Sequence, residues 1–416
     1  MEKREPKDLT IYNKRFDEDP SSFNDFQAMD YVKELKNQEK NDEAIEVGKT
    51  FLQVAPHLTR FINHYGYALY NKYINIEEQA ISERENLFFS MVEEITSLCK
   101  QERFSPLEAT INKAIKYVLN QKEVNYEKLS QLLDKLDPLV SSVEPFVNKD
   151  GKEFESKREK WYRLKVRSLY ELQDYEKCVE IANNAYTQPI KWHYNNLNWI
   201  KYYRASSLVQ LKRYEEAENE FMSLGNRLPH IDSFDILYDL YMNIDKEKDA
   251  YSLLLYRFFI SGYDYDQLPL YEKILAMVKT DEHQKAVIGL ANALVYKMKE
   301  EKGLDVSDMT LDDQYKEKDS SELYDRFYNQ LMDHLDSYID RQEGRIVYYN
   351  EAKEFGSIYQ EDDDNLFFRQ ADYIYDEEVK KRDVVEYSVM KTYDAKKQRS
   401  TTKAILLKTL YEDIRY

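Results

Sequence analysis

The chain has 416 residues, 42% of them hydrophobic and 14% aromatic, and carries 60 basic against 78 acidic side chains for a net charge of −18. That much apolar material excludes wholesale disorder, and that much negative charge disfavours a surface wrapped in duplex DNA. Nine Gly and nine Pro beside 37 Tyr are too few chain breakers for a large sandwich or barrel, so the expectation is long helices joined by short turns. At roughly 150 residues per domain the length predicts two or three domains. Cys99 and Cys178 are the only cysteines, which excludes a disulfide framework or a Cys-rich zinc site and fits a reducing compartment. The start MEKREPKDLT has no apolar signal core. Ser252 to Ile260 and Val287 to Tyr296, the most apolar stretches, fall far short of the ~20 residues that cross a bilayer. A soluble cytoplasmic protein with no membrane partner is expected.

Residues 1–22 read as an N-terminal extension, and the segment from Phe23 to Ile339 reads as helical and repetitive. NDEAIEVGKTFLQVAP sets Ala44 and Pro56 twelve apart, and YEEAENEFMSLGNRLP sets Ala217 and Pro229 at the same spacing, with Phe221 between them. Small residues recur at Cys178, Ala217, Ala250 and Ala286, at intervals of 33 to 39 residues. Gly66, Ala205 and Leu208 fall at close-contact and apolar positions of the partner helices. This spacing resembles the tetratricopeptide repeat, a helix–turn–helix unit of about 34 residues. It implies an α-solenoid over 23–339. Between about 77 and 160 the period blurs, as in degenerate repeats or an inserted helical hairpin. There Ser105-Pro106-Leu107-Glu108 reads as a capping box opening a helix to about Gln121. From about 299 to 320 the chain turns charged and reads as a linker or mobile loop, after which Leu323 to Ile339 is helical again.

At Gly344 the hydrophobic period drops from 3.6 to about 2. RIVYYN, SIYQ, NLFFR and VVEYSVM read as short strands rich in β-branched and aromatic residues. Gly344, Val347, Tyr348, Tyr349, Asn350, Lys353, Phe355, Gly356 and Ile358, then Asp362 to Asp364, Leu366 to Arg369, Glu386, Tyr387, Val389 and Ala404, follow in order. Over residues 344–410 the chain resembles a cold-shock domain. The resemblance implies a small five-stranded β-barrel of the OB type that stacks single-stranded RNA or DNA on exposed rings. By the same resemblance Tyr348, Phe355 and Phe367 are the platform, Lys353 lies near the phosphates, and Arg369 stands where the family has histidine. Two departures stand beside these matches. Ser357 replaces a platform aromatic, and Glu354 replaces the glycine after the lysine. Lys396, Lys397, Arg399 and Lys403, with Lys380, Lys381 and Arg382, either line a basic rim or are solvated loop charges.

No catalytic signature is present. The scattered glycines form neither G-x-x-x-x-G-K-[ST] nor G-x-G-x-x-G. His57 and His64 share a spacing but no metal-ligand pattern. Cys178 reads as core, and acids in a chain this acidic mark no general acid or base. No cofactor, metal or enzymatic activity is expected. The tyrosines of the repeat helices, such as Tyr194, Tyr202, Tyr203, Tyr238 and Tyr241, either pack between helices or line a concave groove that grips a protein partner. The expected molecule is therefore mainly α, a non-enzymatic adaptor that holds a protein in its groove and single-stranded nucleic acid on its barrel. Its architecture is also similar to accessory proteins of bacterial anti-phage conflict loci. The alternative is a purely protein- or peptide-binding scaffold whose barrel no longer binds nucleic acid.

Overall fold

The computed structural model describes residues 6–411 except 226, 230, 282, 361–364, 376, 377, 395 and 398. It divides into two compact units, Met1–Ser207 and Leu208–Tyr416. The described residues are mainly helical, with a five-stranded sheet at the C-terminal end. No described helix is long and apolar enough to cross a membrane.

The first unit holds α1 (Thr10–Glu18), α2 (Asp25–Asn37), α3 (Asn41–Val54), α4 (Ile62–Leu69), α5 (Glu78–Glu83), α6 (Glu85–Leu98), α7 (Leu107–Leu119) and α8 (Tyr126–Asp134). A minimal hairpin, β1 (Phe146–Val147) and β2 (Glu153–Phe154), precedes α9 (Lys157–Glu171) and α10 (Tyr175–Tyr186). The unit boundary falls inside the next helix, α11 (Asn196–Gln210). Each helix packs mainly on its sequence neighbours through one apolar stripe, such as Ala44, Ile45, Val47 and Phe51 on α3. Ala44 and Cys178 lie fully buried, as their small-residue positions require. Gly66 is also a true close contact: a Cβ there would stand 2.7 Å from Cys99 Sγ.

Two local expectations fail in this unit. Residues 1–22 are no mere extension where described, because α1 sets Tyr12 and Phe16 against Phe23, Tyr31 and Phe51. The capping box at Ser105 does not close. Ser105 Oγ accepts from the Leu107 N–H at 3.3 Å, one position early, while Glu108 accepts from Gln101 Nε2 at 3.1 Å and pairs with Lys157.

The second unit continues with α12 (Tyr214–Leu224), α13 (Ser233–Asn243), α14 (Glu247–Ser261), α15 (Leu268–Val278), α16 (Lys285–Glu301) and α17 (Ser320–Met332). Ala217 and Ala250 are fully buried. Ala286, expected at the matching position, is exposed instead. It stands on the first turn of α16, one residue before a stripe that begins at Val287 and continues through Leu290, Ala291 and Leu294. The charged stretch after α16 is irregular but pinned. Asn292 Nδ2 donates to the Thr310 carbonyl at 2.7 Å, Tyr315 is buried, and the Ser320 N–H reaches Glu301 Oε1 at 3.1 Å.

Five strands follow: β3 (Gln342–Asn350), β4 (Phe355–Ile358), β5 (Leu366–Arg369), β6 (Val384–Asp394) and β7 (Arg399–Tyr411). The pairings run β3–β4–β5–β7–β6, and β3 also pairs with β6, so the ladder closes on itself. Alternation points Ile346, Ile358, Leu366, Phe368, Val385 and Leu407 inward as a small apolar core.

Candidate nucleic-acid interface

Strand register assembles the outer face of β3, β4 and β5 from residues of alternate positions. Tyr348 stands opposite Ser357, Ser357 opposite Phe367, and Phe355 opposite Arg369. Their inward neighbours Ile346, Ile358, Leu366 and Phe368 are fully or nearly fully buried, so the face is set by the pleat. On it Tyr348 is 47% and Phe367 40% exposed, with Phe355 half-buried between them. The ring centroids of Tyr348 and Phe355 lie 5.9 Å apart, and those of Phe355 and Phe367 5.8 Å apart. The three residues expected as a platform thus form one contiguous row.

Short polar contacts hold the edge of this row. Asn350 Oδ1 accepts from the Lys353 N–H at 3.0 Å, and Asn350 Nδ2 donates to the Tyr348 hydroxyl at 3.2 Å. One side chain therefore closes the turn carrying Lys353 and contacts the Tyr348 hydroxyl. Lys353 is exposed at the end of that turn, and Arg369 is exposed across from Phe355. Glu354 adopts the left-handed conformation, with φ 51° and ψ 45°, which a glycine accepts without strain and a glutamate does not. The position also adds a negative charge beside the rings. Ser357, between Tyr348 and Phe367, offers no ring. Asp362 to Asp364, expected at the acidic turn, lie outside the described residues.

The basic cluster divides. Lys396, Lys397 and Arg399 are exposed at the tip between β6 and β7. Asp394 Oδ1 accepts the backbone N–H groups of Lys396 and Lys397 at 2.9 and 3.1 Å, which holds the Asp394 carboxyl below its ordinary range. Lys403 does not join them. Its Nζ pairs with Asp372 at 2.8 Å and donates to the Tyr256 hydroxyl of α14 at 2.6 Å, with only 15% of the side chain exposed. Tyr256 in turn donates to Asp372 Oδ1 at 2.7 Å, and burial, then that carboxylate, pushes its hydroxyl pKa up. Asp372 Oδ2 also accepts the Arg369 N–H at 2.8 Å. A buried carboxylate thus ties together the end of β5, β7 and α14, through Lys403, the register partner of Phe367.

Further contacts fix the sheet on the helices of its own unit. Arg341, with 5% of its side chain exposed, donates to the Leu406 carbonyl at 2.8 Å and to Ser388 Oγ and Glu386 at 3.2 Å each. Lys391 of β6 pairs at 3.1 Å with Glu218 of α12, a buried acid that also accepts from Tyr241 at 2.6 Å. The β6–β7 hairpin faces the helices, and the face bearing Tyr348, Phe355 and Phe367 stays open.

Among the described residues no group of three His, Cys, Asp or Glu side chains could hold a metal. His64 is half-buried and His57 exposed. Of the repeat tyrosines, Tyr241 is buried and hydrogen-bonded, Tyr202, Tyr203 and Tyr238 are half-buried, and Tyr194 is exposed.

No protein-family model and no curated protein matches this chain. Among solved structures it is similar to BtubC (BKLC) from P. vanneervenii, at 13% identity over 73% of this chain and 92% of that one, with a TM-score of 0.14. A likeness at that score carries no argument about fold or function.

Proposed function

We propose that this protein is a non-enzymatic adaptor whose helices form a tetratricopeptide-like solenoid holding a protein partner, and whose closed sheet is a cold-shock-type barrel binding single-stranded RNA or DNA. The observation that carries the reading is the row Tyr348–Phe355–Phe367, three partly exposed rings within stacking reach of one another on an open sheet face. Stacking needs no sequence readout and is worth about 1–3 kcal/mol per base. Lys353 and Arg369, exposed at the edge of the row, supply the positive charge that tracks a phosphate backbone. Joining the two binding functions in one chain raises the effective concentration of the protein partner at the nucleic acid. A part in a bacterial anti-phage system belongs to the same proposal.

A second reading is favoured by Ser357 and Glu354, which remove a ring and add a negative charge at the face. In that reading the rings dock a protein and the whole chain is a scaffold. Fluorescence anisotropy of labelled single-stranded DNA and RNA against the full chain, at several salt concentrations, separates the two. Binding that weakens with salt and falls at least tenfold in Phe355→Ala/Phe367→Ala supports the adaptor. A wild-type chain that binds neither probe, or a double variant that binds as tightly as wild type, removes it.

A further inference from the structure

The open face continues past the three-ring row. The Tyr359 N–H donates to the Arg345 carbonyl at 3.0 Å, one step beyond the Ile346–Ile358 pair. Ile346 and Ile358 are fully buried, so alternation sends Arg345 and Tyr359 outward as directly opposed neighbours on the face of Ser357 and Phe355. Tyr359 is 56% exposed, more than any platform ring, and Arg345 is exposed beside it. Among the described residues neither side chain makes a hydrogen bond, ion pair or ring contact, although Arg345 lies on β3 and the backbone of Tyr359 is bonded to it. A large exposed ring opposite an exposed guanidinium matches a nucleotide, with a flat face for the base and a fork for the phosphate.

We infer that Arg345 and Tyr359 form a further nucleotide subsite, with Tyr359 stacking a base and Arg345 holding an adjacent phosphate. Ser357 separates it from the three-ring row, and Tyr359, the residue after β4, stands about 13 Å from Phe355, four residues of extended chain. The ring absent at Ser357 is therefore displaced two residues along the chain, and the bound strand bridges the gap. This inference rests on the nucleic-acid reading above and lengthens its footprint.

The test uses the full chain with two labelled single-stranded probes, one of about three nucleotides and one of about eight, within the range that such folds cover. Tyr359→Ala is expected to weaken the longer probe about tenfold and leave the shorter one unchanged, while Tyr359→Phe, which keeps the ring, binds both as wild type does. Arg345→Gln is expected to reduce the slope of log affinity against log salt by about 0.7, the loss of one phosphate contact on a single strand. If Tyr359→Ala leaves the longer probe unchanged while Phe355→Ala/Phe367→Ala loses it, the subsite is wrong and the platform stands. If the double variant is also without effect, or wild type binds neither probe, both fall.

Discussion

Burial decides the protonation of His64 on α4. Removal from water, with the ammonium charges of Lys36 and then Lys33 adding to it, pushes the imidazole down to about 4 from an ordinary 6.5. Its Nδ1 has no hydrogen-bond partner among the described residues, so nothing nearby rewards the charged form. The folded chain therefore resists a proton that the unfolded chain takes up from pH 6.5 downward. The sign follows from linkage: the stability conferred by a neutral His64 is intact above pH 6.5 and is lost as the pH falls toward 4. Allowing for water around part of the ring, the loss is on the order of 1–2 kcal/mol. Urea denaturation of wild type and His64→Gln across that window should show their stability difference shifting in favour of the variant as the pH drops. A difference that does not change with pH would contradict the assignment. The same scale separates what alternation reveals from what it hides. Tyr348, Phe355 and Phe367 were singled out by the family resemblance; alternation alone accounts for Phe355 and Phe367, whereas a register shift between Ile346 and Tyr348 turns Tyr348 to the outer face. Lys403 is the register partner of Phe367, yet its ammonium is claimed by Tyr256, 147 positions away, and no local pattern announces a partner so distant. Tyr359 falls between the ordered matches Ile358 and Asp362 to Asp364, so the family pattern does not mark it, although the alternation Phe355–Ser357–Tyr359 does.

At the scale of elements, close approach between helices is enforced by missing side-chain atoms. Gly48 on α3 faces Tyr65 of α4, and a Cβ at Gly48 would lie 2.3 Å from the Tyr65 ring. Tyr65 is fully buried and donates to Glu94 of α6, so its ring has little room to retreat. Gly48→Ala gains helix propensity but forces the helices apart, and overpacking of this kind costs about 1–3 kcal/mol. The expected outcome is a net destabilisation on thermal or chemical unfolding, where an exposed helix glycine would show a gain. A variant at least as stable as wild type would refute the contact. The sequence spacing singled out Ala44, Cys178, Ala217 and Ala250, and all four are fully buried. It misplaced Ala286, since a period that varies from copy to copy cannot fix a helical register to one residue. It also missed α1, whose nine residues depend for their packing on rings contributed by α2 and α3.

Over the whole molecule, the change of period at Gly344 marks where strands begin but not where the folded unit ends. The sheet belongs to the unit Leu208–Tyr416. Arg341, one residue before β3, fills hydrogen bonds at Leu406, Ser388 and Glu386, and Tyr256 completes the buried Asp372–Lys403 pair. Glu218, from α12, is buried with Lys391 of β6 as one of its two partners. Cutting the chain at residue 342 removes all three groups; losing Arg341 and Tyr256 leaves buried polar partners unpaired, at about 1–3 kcal/mol apiece and more where a charge is involved, whereas Lys391, 47% exposed, returns to water. A small sheet has no such surplus, because a domain of this size is only marginally stable by its own burial. Residues 208–416 are therefore expected to give a cooperative thermal transition by circular dichroism, and residues 342–416 a much lower or non-cooperative one. An isolated sheet that melts as sharply and as high as the longer fragment would show that the helices do not support it. Because one of these supports, Tyr256, meets Asp372, whose Oδ2 accepts the Arg369 N–H at the end of β5, the same pair of fragments also bears on binding. If oligonucleotide affinity follows sheet stability, it should be retained in residues 208–416 and weakened in residues 342–416.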